Sequence, residues 1–292
     1  MSTETSPRRT DFRFFHRLRV RWAEVDMQKI VFNAHYLMYF DTAIADYWRA
    51  LALPYEASMH ALDGDLYVRK AMVDFRASAR LDDLLDVGMK CMRIGNSSLV
   101  FEGGLFRQDQ FLVGCELIYV FADPATQTSR PVPQALRDVL LGYEAGAAMT
   151  EVVTGDWATL GGVAGPLRRA VFVDEQGIPE DMEWDADDAT SLHGVARNRL
   201  GRAVATGRLL PADAEGVARI GRMAVDRVLR GQGHGEQVLR ALEAAARARG
   251  DKAVALHAQR SAERFYARLG YAPVGEPFEE AGIAHITMQR VL

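Results

Sequence analysis

The sequence predicts an α+β protein of two domains, in which a long helix with an antiparallel sheet precedes an α/β domain. Three observations lead to this prediction. The chain has 292 residues, about twice the size of an average domain. In the first half, a helical pattern precedes a series of strand patterns. In the second half, an apolar strand ends in a glycine-rich turn that opens into an amphipathic helix, so a domain boundary is expected near residue 148.

The first predicted elements are a strand and a long helix. Residues 12–22 alternate basic and apolar side chains, which is the period of a half-buried strand. From Asn33 to about Leu53, apolar residues recur at helical spacing until Pro54 stops the run. Asn33 is the expected N-cap because its short polar side chain can accept a hydrogen bond from a backbone amide.

A set of strands follows this helix, separated by the turn residues Gly95-Asn96 and Asp109-Gln110. One helix before an antiparallel meander is a usual order for an α+β domain. The strands are expected at residues 67–75, 85–94, 98–107 and 111–121. A short helix and a linker over residues 131–146 close this half of the chain.

The second half begins with a strand at residues 150–154, a helix from Trp157 to Phe172 and an acidic loop from Asp174 to Asp188. Strands and helices follow this loop in the manner of an α/β domain. The strands are expected at residues 192–198, 202–210, 218–225 and 253–258, and the helices at residues 236–249 and 261–269.

The charge distribution argues against a nucleic-acid partner. Residues 1–150 carry 17 basic and 19 acidic side chains, and the remaining residues carry 18 and 20, so each half has a net charge near −2. A nucleic-acid-binding protein needs a concentrated basic face. Neither half has the composition for such a face.

Cysteine use and hydropathy predict a cytoplasmic protein. Cys91 and Cys115 lie in apolar strand patterns and lack metal-site spacing, so buried thiols are expected rather than a disulfide. No apolar run approaches the roughly 18 residues that span a bilayer, so no membrane partner is expected. The polar start from Ser2 to Asp11 has no hydrophobic region after its arginines and is expected to be frayed.

The turn within residues 225–236 has the properties of a phosphate-binding loop. Gly231, Gly233 and Gly235 allow the backbone to approach an anion closely. The unpaired amides of the following helical turn and the positive end of the helix dipole favour a pyrophosphate group without a metal ion.

This loop, Arg230-Gly231-Gln232-Gly233-His234-Gly235, and the later run Arg264-Phe265-Tyr266-Ala267-Arg268-Leu269-Gly270-Tyr271 together resemble the two signature motifs of the GCN5-related N-acetyltransferases (GNAT). The resemblance covers about residues 150–292. The segments 169–179 and 280–285 and the pair Asp187-Asp188 resemble one small subfamily.

The GNAT resemblance implies direct transfer of an acetyl group from acetyl-CoA to an amine, with no metal ion and no covalent enzyme intermediate. Tyr266 matches the family's tyrosine that protonates the departing CoA thiolate. The residues implied to bind CoA are the backbone of Met223, Ala224 and Val225 for the pantetheine arm, and Arg230, Gly231, Gln232, Gly233, His234 and Gly235 for the pyrophosphate.

The acceptor side of this domain leaves alternatives open. Glu175 and His257 are both candidate bases or substrate contacts. The eight acidic residues from Asp174 to Asp188 either attract a cationic amine or form a solvated loop.

The first half resembles the 4-hydroxybenzoyl-CoA thioesterase type of hotdog-fold enzymes over roughly residues 12–140. The residues that carry the resemblance run from Val20 to Asp41 and from Phe75 to Asp83. It implies an antiparallel sheet wrapped around a central helix, and paired subunits with acyl-CoA in their interface. Asp26 matches the catalytic aspartate, which attacks the thioester carbonyl or activates water, while free amides near Asn33 and Ala34 stabilise the oxyanion.

Three residues near Asp26 have open roles. The family commonly has glycine at the position of Lys29, so the turn conformation or the approach of CoA can differ here. His35 either touches substrate or is a satisfied polar residue at the start of the helix. Asp41 either orients the site or forms a buried polar pair.

We therefore expect residues 1–148 to form a hotdog acyl-CoA thioesterase domain and residues 149–292 to form a GNAT acetyltransferase domain. The expected enzyme hydrolyses acyl-CoA, acetylates an amine and assembles as a dimer or tetramer through the hotdog domain. Two alternatives remain. Either the thioesterase alone is active and the GNAT half is a CoA-binding sensor, or the hotdog domain is a non-catalytic scaffold that gathers acetyltransferase domains.

Overall fold

The structure, a computed structural model, describes residues 7–292, and the chain divides into two units, Met1–Met149 and Thr150–Leu292. Residues 1–6 belong to the polar start that is expected to be frayed, and they lie outside the described residues. Each unit has its own sheet.

The first unit is built from a long helix and a five-stranded sheet. In chain order its elements are β1 (Phe14–Arg19), α1 (Asn33–Ala50), α2 (Tyr55–Ala61), β2 (Asp65–Phe75), β3 (Leu84–Ile94), β4 (Ser98–Arg107), β5 (Gln110–Ala122) and α3 (Gln134–Glu144). The sheet is antiparallel throughout, with the strand order β1-β3-β4-β5-β2.

Helix α1 packs on this sheet through a face rich in aromatic side chains. The buried members are Tyr36, Tyr39, Phe40, Tyr47 and Trp48. The rings of Tyr47 and Phe101 meet edge to face with centroids 5.6 Å apart. A Cβ atom at Gly103 of β4 would lie 2.6 Å from the ring of Phe40, so only glycine lets the helix approach this closely. The antiparallel sheet around a central helix is the arrangement predicted from the sequence.

Strand β2 forms one edge of the sheet over 11 residues. It pairs with β5, and its other edge pairs with no strand of the described residues. Val68, Met72 and Phe75 of this strand are exposed. A long edge with exposed apolar side chains is a surface suited to pairing with another chain.

The second unit is a seven-stranded sheet with helices on both faces. In chain order its elements are β6 (Thr150–Gly155), α4 (Trp157–Arg168), α5 (Glu180–Glu183), β7 (Leu192–Asn198), β8 (Ala203–Ala212), β9 (Val217–Val225), α6 (His234–Arg249), β10 (Ala253–Gln259), α7 (Glu263–Arg268), β11 (Ala272–Glu280) and β12 (Ile283–Val291). The strand order is β11-β12-β10-β9-β8-β7-β6. Strands β9 and β10 are parallel, and the other neighbours are antiparallel.

Helices α4 and α6 cover opposite faces of this sheet. Val195 and Ala196 are adjacent in β7 and belong to different apolar cores, because successive strand side chains point to opposite faces. Val195 packs in the core that contains Leu160 of α4, and Ala196 packs in the core that contains Leu242 of α6.

Two parts of the second unit differ from the sequence prediction. The helix expected to run to Phe172 changes form, because α4 ends at Arg168 and Arg169–Glu175 is a π-helical turn. The hairpin of β11 and β12 was not predicted. Pro273 and Pro277 interrupt β11, and most of its residues are exposed, so it lacks the alternating pattern of a half-buried strand.

Candidate active sites

In the first unit, Asp26 lies in a closed turn just before α1. Val25 and Val31 form an isolated antiparallel bridge around this turn. The amide of Asp26 donates to the carbonyl of Ile30 at 2.9 Å, and the amide of Lys29 donates to the carbonyl of Asp26 at 3.0 Å. These bonds fix the backbone of Asp26 relative to the start of the helix.

Lys29 adopts the conformation for which glycine is usually chosen. Its φ angle is 62°, in the left-handed region. A side chain in this region costs about 1–2 kcal/mol. The turn therefore keeps a glycine-like backbone although the sequence has lysine, and the hydrogen bonds around Asp26 hold it there.

The side chain of Asp26 is half-buried, and its Oδ1 accepts a hydrogen bond from the amide of Gln28 at 2.7 Å. Helix α1 begins at Asn33 and is preceded by Phe32 without a side-chain cap, so the expectation of Asn33 as N-cap is wrong by one residue. The amides of Asn33 and Ala34 donate to no other described residue, as is usual for the first turn of a helix.

His35 and Asp41 do not match the simple structural roles considered for them. His35 is half-buried, and its Nδ1 atom is buried without a hydrogen-bond partner among the described residues, so it is not a satisfied polar residue. Asp41 is exposed and forms no buried pair.

In the second unit, a cleft opens where β9 and β10 separate. These strands pair only from Val217 to Arg219 and from Ala253 to Ala255. Beyond Arg219 the edge of β9 that faces β10 is unpaired. A cavity of about 310 Å³ occupies this region and is lined by Met223 and Tyr266, among others.

The glycine-rich loop follows β9 directly. Gly231 and Gly233 have φ angles of 83° and 86°, which only glycine adopts without strain. Helix α6 begins at His234 after Gly233, with no side-chain cap, so the amides of its first turn are open. A Cβ atom at Gly235 would lie 3.0 Å from Val225 Cγ2, so this glycine allows the helix to pack closely on β9.

The residues expected to hold the pantetheine arm lie along β9. Ala224 pairs with Thr206 and Val225 pairs with Ala205 on the β8 side. The carbonyl of Val225 also accepts a hydrogen bond from Arg230 Nε at 3.3 Å. Met223 lines the cleft. Gln232 is exposed within the loop.

His234 is buried beneath the loop rather than directed outward from it. Both of its ring nitrogens lack hydrogen-bond partners among the described residues. Burial lowers the pKa of His234, so the ring is neutral at neutral pH. An anion at this loop would therefore contact the backbone of His234 and not a charged imidazole.

Arg230 is paired with a carboxylate. Its two terminal nitrogens donate to both oxygens of Glu175, at 2.7 and 2.6 Å. This hydrogen-bonded contact with Arg230 lowers the pKa of Glu175. Glu175 is the last residue of the π-helical turn, and its ion pair with Arg230 holds it against the loop. Its lowered pKa makes it a poor proton acceptor.

Tyr266 of α7 is buried beside the cleft. Its ring packs edge to face against Phe265 and Tyr271, with centroids 4.9 and 5.8 Å away. Burial raises the pKa of Tyr266 to about 12. The hydroxyl therefore keeps its proton at neutral pH and can donate it.

The acidic segment 174–188 is solvated in part, since five of its eight acids are exposed, but six of the eight pair with arginines of the domain. Glu183 and Asp188 are buried. Arg168 is fully buried, donates to Glu183 at 2.5 Å and to Asp188 at 2.7 Å, and lies over the rings of both Trp157 and Trp184, with its Cζ 4.9 Å from each centroid. The acids of this segment thus neutralise arginines of the domain itself.

The opposite wall of the cleft carries a cluster of histidine, glutamate and phenylalanine side chains that was predicted only in part from the sequence. His257 Nδ1 lies 3.1 Å from Glu280 Oε2. The ring of Phe278 packs against two imidazoles, with centroids 4.9 Å from His257 and 5.9 Å from His285. Nδ1 of His285 donates to the carbonyl of Ile283 at 2.8 Å. The segment 280–285 was a subfamily marker, but the unpredicted β11–β12 hairpin is what brings it to His257.

Residues 7–292 offer neither a metal site nor a membrane-spanning helix. These residues contain no group of three or more histidine, cysteine, aspartate or glutamate side chains arranged to hold a metal ion. No helix within them is both long and apolar enough to cross a membrane.

Comparison with known proteins identifies both halves. The family model described as Acetyltransferase (GNAT) domain matches residues 166–292, and the model described as Thioesterase superfamily matches residues 28–113. Protein ElaA of Escherichia coli (strain K12) is 42% identical over 131 residues, which are 42% of this chain and 82% of that protein.

Solved structures resemble each half separately. The crystal structure of Escherichia coli ElaA covers 49% of this chain and 99% of its own, with 34% identity and a TM-score of 0.44. The structure of Slr0204, a 1,4-dihydroxy-2-naphthoyl-CoA thioesterase from Synechocystis, covers 44% of this chain and 95% of its own, with 18% identity and a TM-score of 0.41. The chain belongs to the GNAT acetyltransferase family through residues 166–292, and it carries a thioesterase superfamily domain of the hotdog type over residues 28–113.

Proposed function

We propose that the protein is a bifunctional CoA-thioester enzyme, in which residues 1–148 hydrolyse acyl-CoA and residues 149–292 transfer an acetyl group from acetyl-CoA to an amine. The observation that carries the proposal is the cleft of the second unit. It presents the unpaired edge of β9 and the protonated hydroxyl of Tyr266, and the loop that follows β9 along the chain leads to the open amides of α6. These are the groups needed to bind a pyrophosphate, a pantetheine arm and a leaving thiolate.

In the acetyl-transfer reaction, the backbone amides from Gly231 to Gly235 bind the pyrophosphate, with Arg230 as an additional cation. The amides and carbonyls of β9 bind the pantetheine arm. The amine nitrogen attacks the thioester carbonyl carbon, the carbon–sulfur bond breaks, and Tyr266 gives its proton to the sulfur. A proton lost by the nitrogen restores Tyr266, so the products are an amide and free CoA.

In the hydrolytic reaction, Asp26 acts on a thioester whose carbonyl oxygen lies at the start of α1. Its carboxylate either takes a proton from a water that attacks the carbonyl carbon or attacks that carbon itself, and the carbon–sulfur bond then breaks. In the first case Asp26 returns the proton to the sulfur, which releases CoA and a carboxylic acid. In the second case water cleaves the acyl–aspartate anhydride, which releases the acid, supplies the proton of the CoA thiol and restores Asp26. The amides of Asn33 and Ala34 stabilise the oxyanion in both cases. The exposed apolar side chains of Trp22, Met27 and Phe32 flank Asp26 along the chain and are available to an acyl group.

The thioesterase unit would act as a pair of subunits, as a dimer or as part of a tetramer. The support is the unpaired edge of β2 with its exposed Val68, Met72 and Phe75. A second copy that adds its own β2 would extend the sheet and cover these side chains. Size-exclusion chromatography with light scattering tests this, with Met72→Lys as the disruptive variant.

Release of free thiol from a panel of short, long and aromatic acyl-CoAs tests the two activities together. Each acyl-CoA is assayed with and without a mixture of amines, for the wild type, for Asp26→Asn and for Asp109→Asn. Asp109 is an exposed turn residue and serves as the matched control. Loss of amine-independent release by roughly 100-fold or more in Asp26→Asn alone would support hydrolysis at Asp26.

The same assay separates the alternatives. Release only in the presence of amines, insensitive to Asp26, would make the first unit a scaffold for the acetyltransferase. Hydrolysis with no amine-dependent release, together with measurable CoA binding that Gly233→Val weakens, would make the second unit a CoA-binding sensor.

A further inference from the structure

The acceptor end of the cleft offers few carboxylates to a cationic substrate. Glu183 lines it but accepts from Arg168 at 2.5 Å and lies 3.1 Å from Arg222. Asp185 also lines it and accepts from both terminal nitrogens of Arg208, at 2.5 and 2.7 Å. The charge of each carboxylate is thus already balanced by arginine, which weakens its attraction for a cationic amine.

Arg219 differs from the other arginines that line the cleft. It is on β9, its side chain is 49% exposed, and its closest carboxylate is that of Asp187, with Nη2 and Oδ2 3.7 Å apart. It donates no hydrogen bond to another described residue. A guanidinium in this state retains its donors for an anion, and its planar geometry suits a carboxylate.

His257 lies across the opening from Arg219. Arg219 is paired with Ala255 of β10 in the last parallel pair before the strands separate. His257 is two residues beyond Ala255, so it points to the same face. Strand spacing of about 4.8 Å and a rise of about 3.3 Å per residue set a lower limit of roughly 8 Å on the distance between the two Cα atoms, because the strands separate beyond Ala255. The long side chains of Arg219 and His257 thus lie on the same face of adjacent strands, where both can contact one small molecule.

The imidazole of His257 is oriented for proton transfer. Its Nδ1 lies 3.1 Å from Glu280 Oε2, which leaves Nε2 on the opposite side of the ring. The ring of Phe278 packs against it at 4.9 Å. Of the described carboxylates that line the cleft, Glu280 alone has no arginine partner, so the negative end of the acceptor site is at this pair.

We propose that the amine acceptor is a small aminocarboxylate, whose carboxylate binds Arg219 and whose ammonium group binds the His257–Glu280 pair. This rests on the proposed acetyl transfer and adds the substrate class. The ammonium group gives one proton to His257 Nε2, and the free amine attacks the thioester carbonyl carbon. The carbon–sulfur bond breaks, the sulfur takes its proton from Tyr266, and the second proton of the nitrogen restores Tyr266. His257 then releases its proton to solvent.

Matched acceptors test the assignment of Arg219. Lysine is compared with cadaverine, which lacks the carboxylate, and β-alanine is compared with β-alaninamide, in which it is neutral. Acetyl transfer from acetyl-CoA is measured for the wild type, for Arg219→Gln and for Arg247→Gln. Arg247 is an exposed arginine of α6 that does not line the cleft. Calorimetric affinity for CoA, unchanged in Arg219→Gln, shows that the variant is folded.

We expect the wild type to prefer the carboxylate-bearing member of each pair by roughly 10-fold or more in kcat/KM, the usual effect of a charge-assisted pair. Arg219→Gln should lose most of this preference by raising the KM of that member, with little change for its partner. Arg247→Gln should behave as the wild type. A wild-type preference for cadaverine and β-alaninamide, or a carboxylate preference that survives in Arg219→Gln, would overturn the inference.

The outcomes also separate this inference from the proposed function. Transfer to all four amines without discrimination would overturn the substrate class and leave acetyl transfer standing. Binding of acetyl-CoA with no transfer to these or other amines would overturn acetyl transfer itself and the substrate class with it.

Discussion

Arg230 and Glu175 form a two-pronged ion pair across the phosphate-binding loop, with nitrogen–oxygen distances of 2.7 and 2.6 Å. Glu175 therefore occupies the donors that Arg230 would offer to a pyrophosphate. We expect Glu175→Gln to bind CoA more tightly, by roughly two- to fivefold, the range for a part-exposed ion pair. Titration calorimetry of CoA with the wild type and the variant measures this change.

The control for this prediction is pantetheine, which lacks the pyrophosphate and should bind both proteins equally. The direction in which this difference in CoA affinity changes with pH also follows from the ion pair. Because Arg230 lowers the pKa of Glu175, the competing carboxylate persists below the usual carboxyl range. The difference between wild type and variant should shrink as the pH falls through that lowered pKa. Weaker CoA binding by Glu175→Gln would mean that Glu175 positions Arg230 instead of competing with CoA.

Arg168 is the buried cation on which the acidic segment depends. Arg168→Met would leave Glu183 and Asp188 buried with one arginine fewer. Removing one partner of a buried network costs about 3–5 kcal/mol, and we expect a loss in this range. Urea unfolding followed by tryptophan fluorescence measures it. Arg169→Met is the matched control, because Arg169 pairs with Glu180 at the surface and its loss should change the unfolding free energy by less than about 1 kcal/mol.

The left-handed backbone of Lys29 is strained. Lys29→Gly should leave stability unchanged or raise it by up to about 1 kcal/mol, because relief of strain exceeds or matches the added freedom of glycine in the unfolded chain. Lys70→Gly, within strand β2, should instead lower stability by about 0.5–1 kcal/mol. Thermal unfolding of the two variants side by side gives the comparison. A destabilised Lys29→Gly would show that the lysine side chain contributes contacts of its own.

Tyr266 provides a test at alkaline pH. Its pKa is raised to about 12, whereas an unfolded tyrosine titrates near 10, at about its reference value. The protonated hydroxyl therefore stabilises the fold fully below pH 10, and this contribution is lost as the pH rises towards 12. The difference in unfolding free energy between wild type and Tyr266→Phe should be constant from pH 7 to 9 and change above 10. Acetyl transfer by Tyr266→Phe should fall by roughly 100-fold or more at neutral pH.

The parts of the fold and sites that are encoded locally could be predicted from the sequence. Gly231 and Gly233 impose a loop that only glycine accepts, and the helix after it supplies open amides. The apolar period of α1 and the apolar runs of β3, β4 and β5 likewise depend on neighbouring residues. Lys29 of the Asp26 turn adopts the left-handed backbone conformation of the glycine that is common at this position. The hydrogen bonds around it outweigh the preference of lysine for other backbone conformations.

The electrostatic arrangement of the second unit could not be predicted in this way. Arg230 and Glu175 are 55 residues apart, and Arg208 and Asp185 are 23 residues apart. The periodicity of a sequence does not indicate which acid forms an ion pair with which arginine. For the same reason the acidic segment suggested a surface that faces solvent or substrate, whereas its buried members hold the domain together. His257 contacts Glu280 only because of the β11–β12 hairpin. The prolines of β11 kept this hairpin from being predicted.

Strands β9 and β10 pair over three residue pairs, and beyond these pairs their facing edges are not paired with each other. The seven-stranded sheet thus has a seam through its middle, and its amides along the seam should exchange with deuterium faster than those of the flanking pairs. A pantetheine arm carries two amide groups of its own. If it lies along β9 as proposed, the substrate becomes a surrogate strand, and the second unit gains rigidity from the molecule on which it acts.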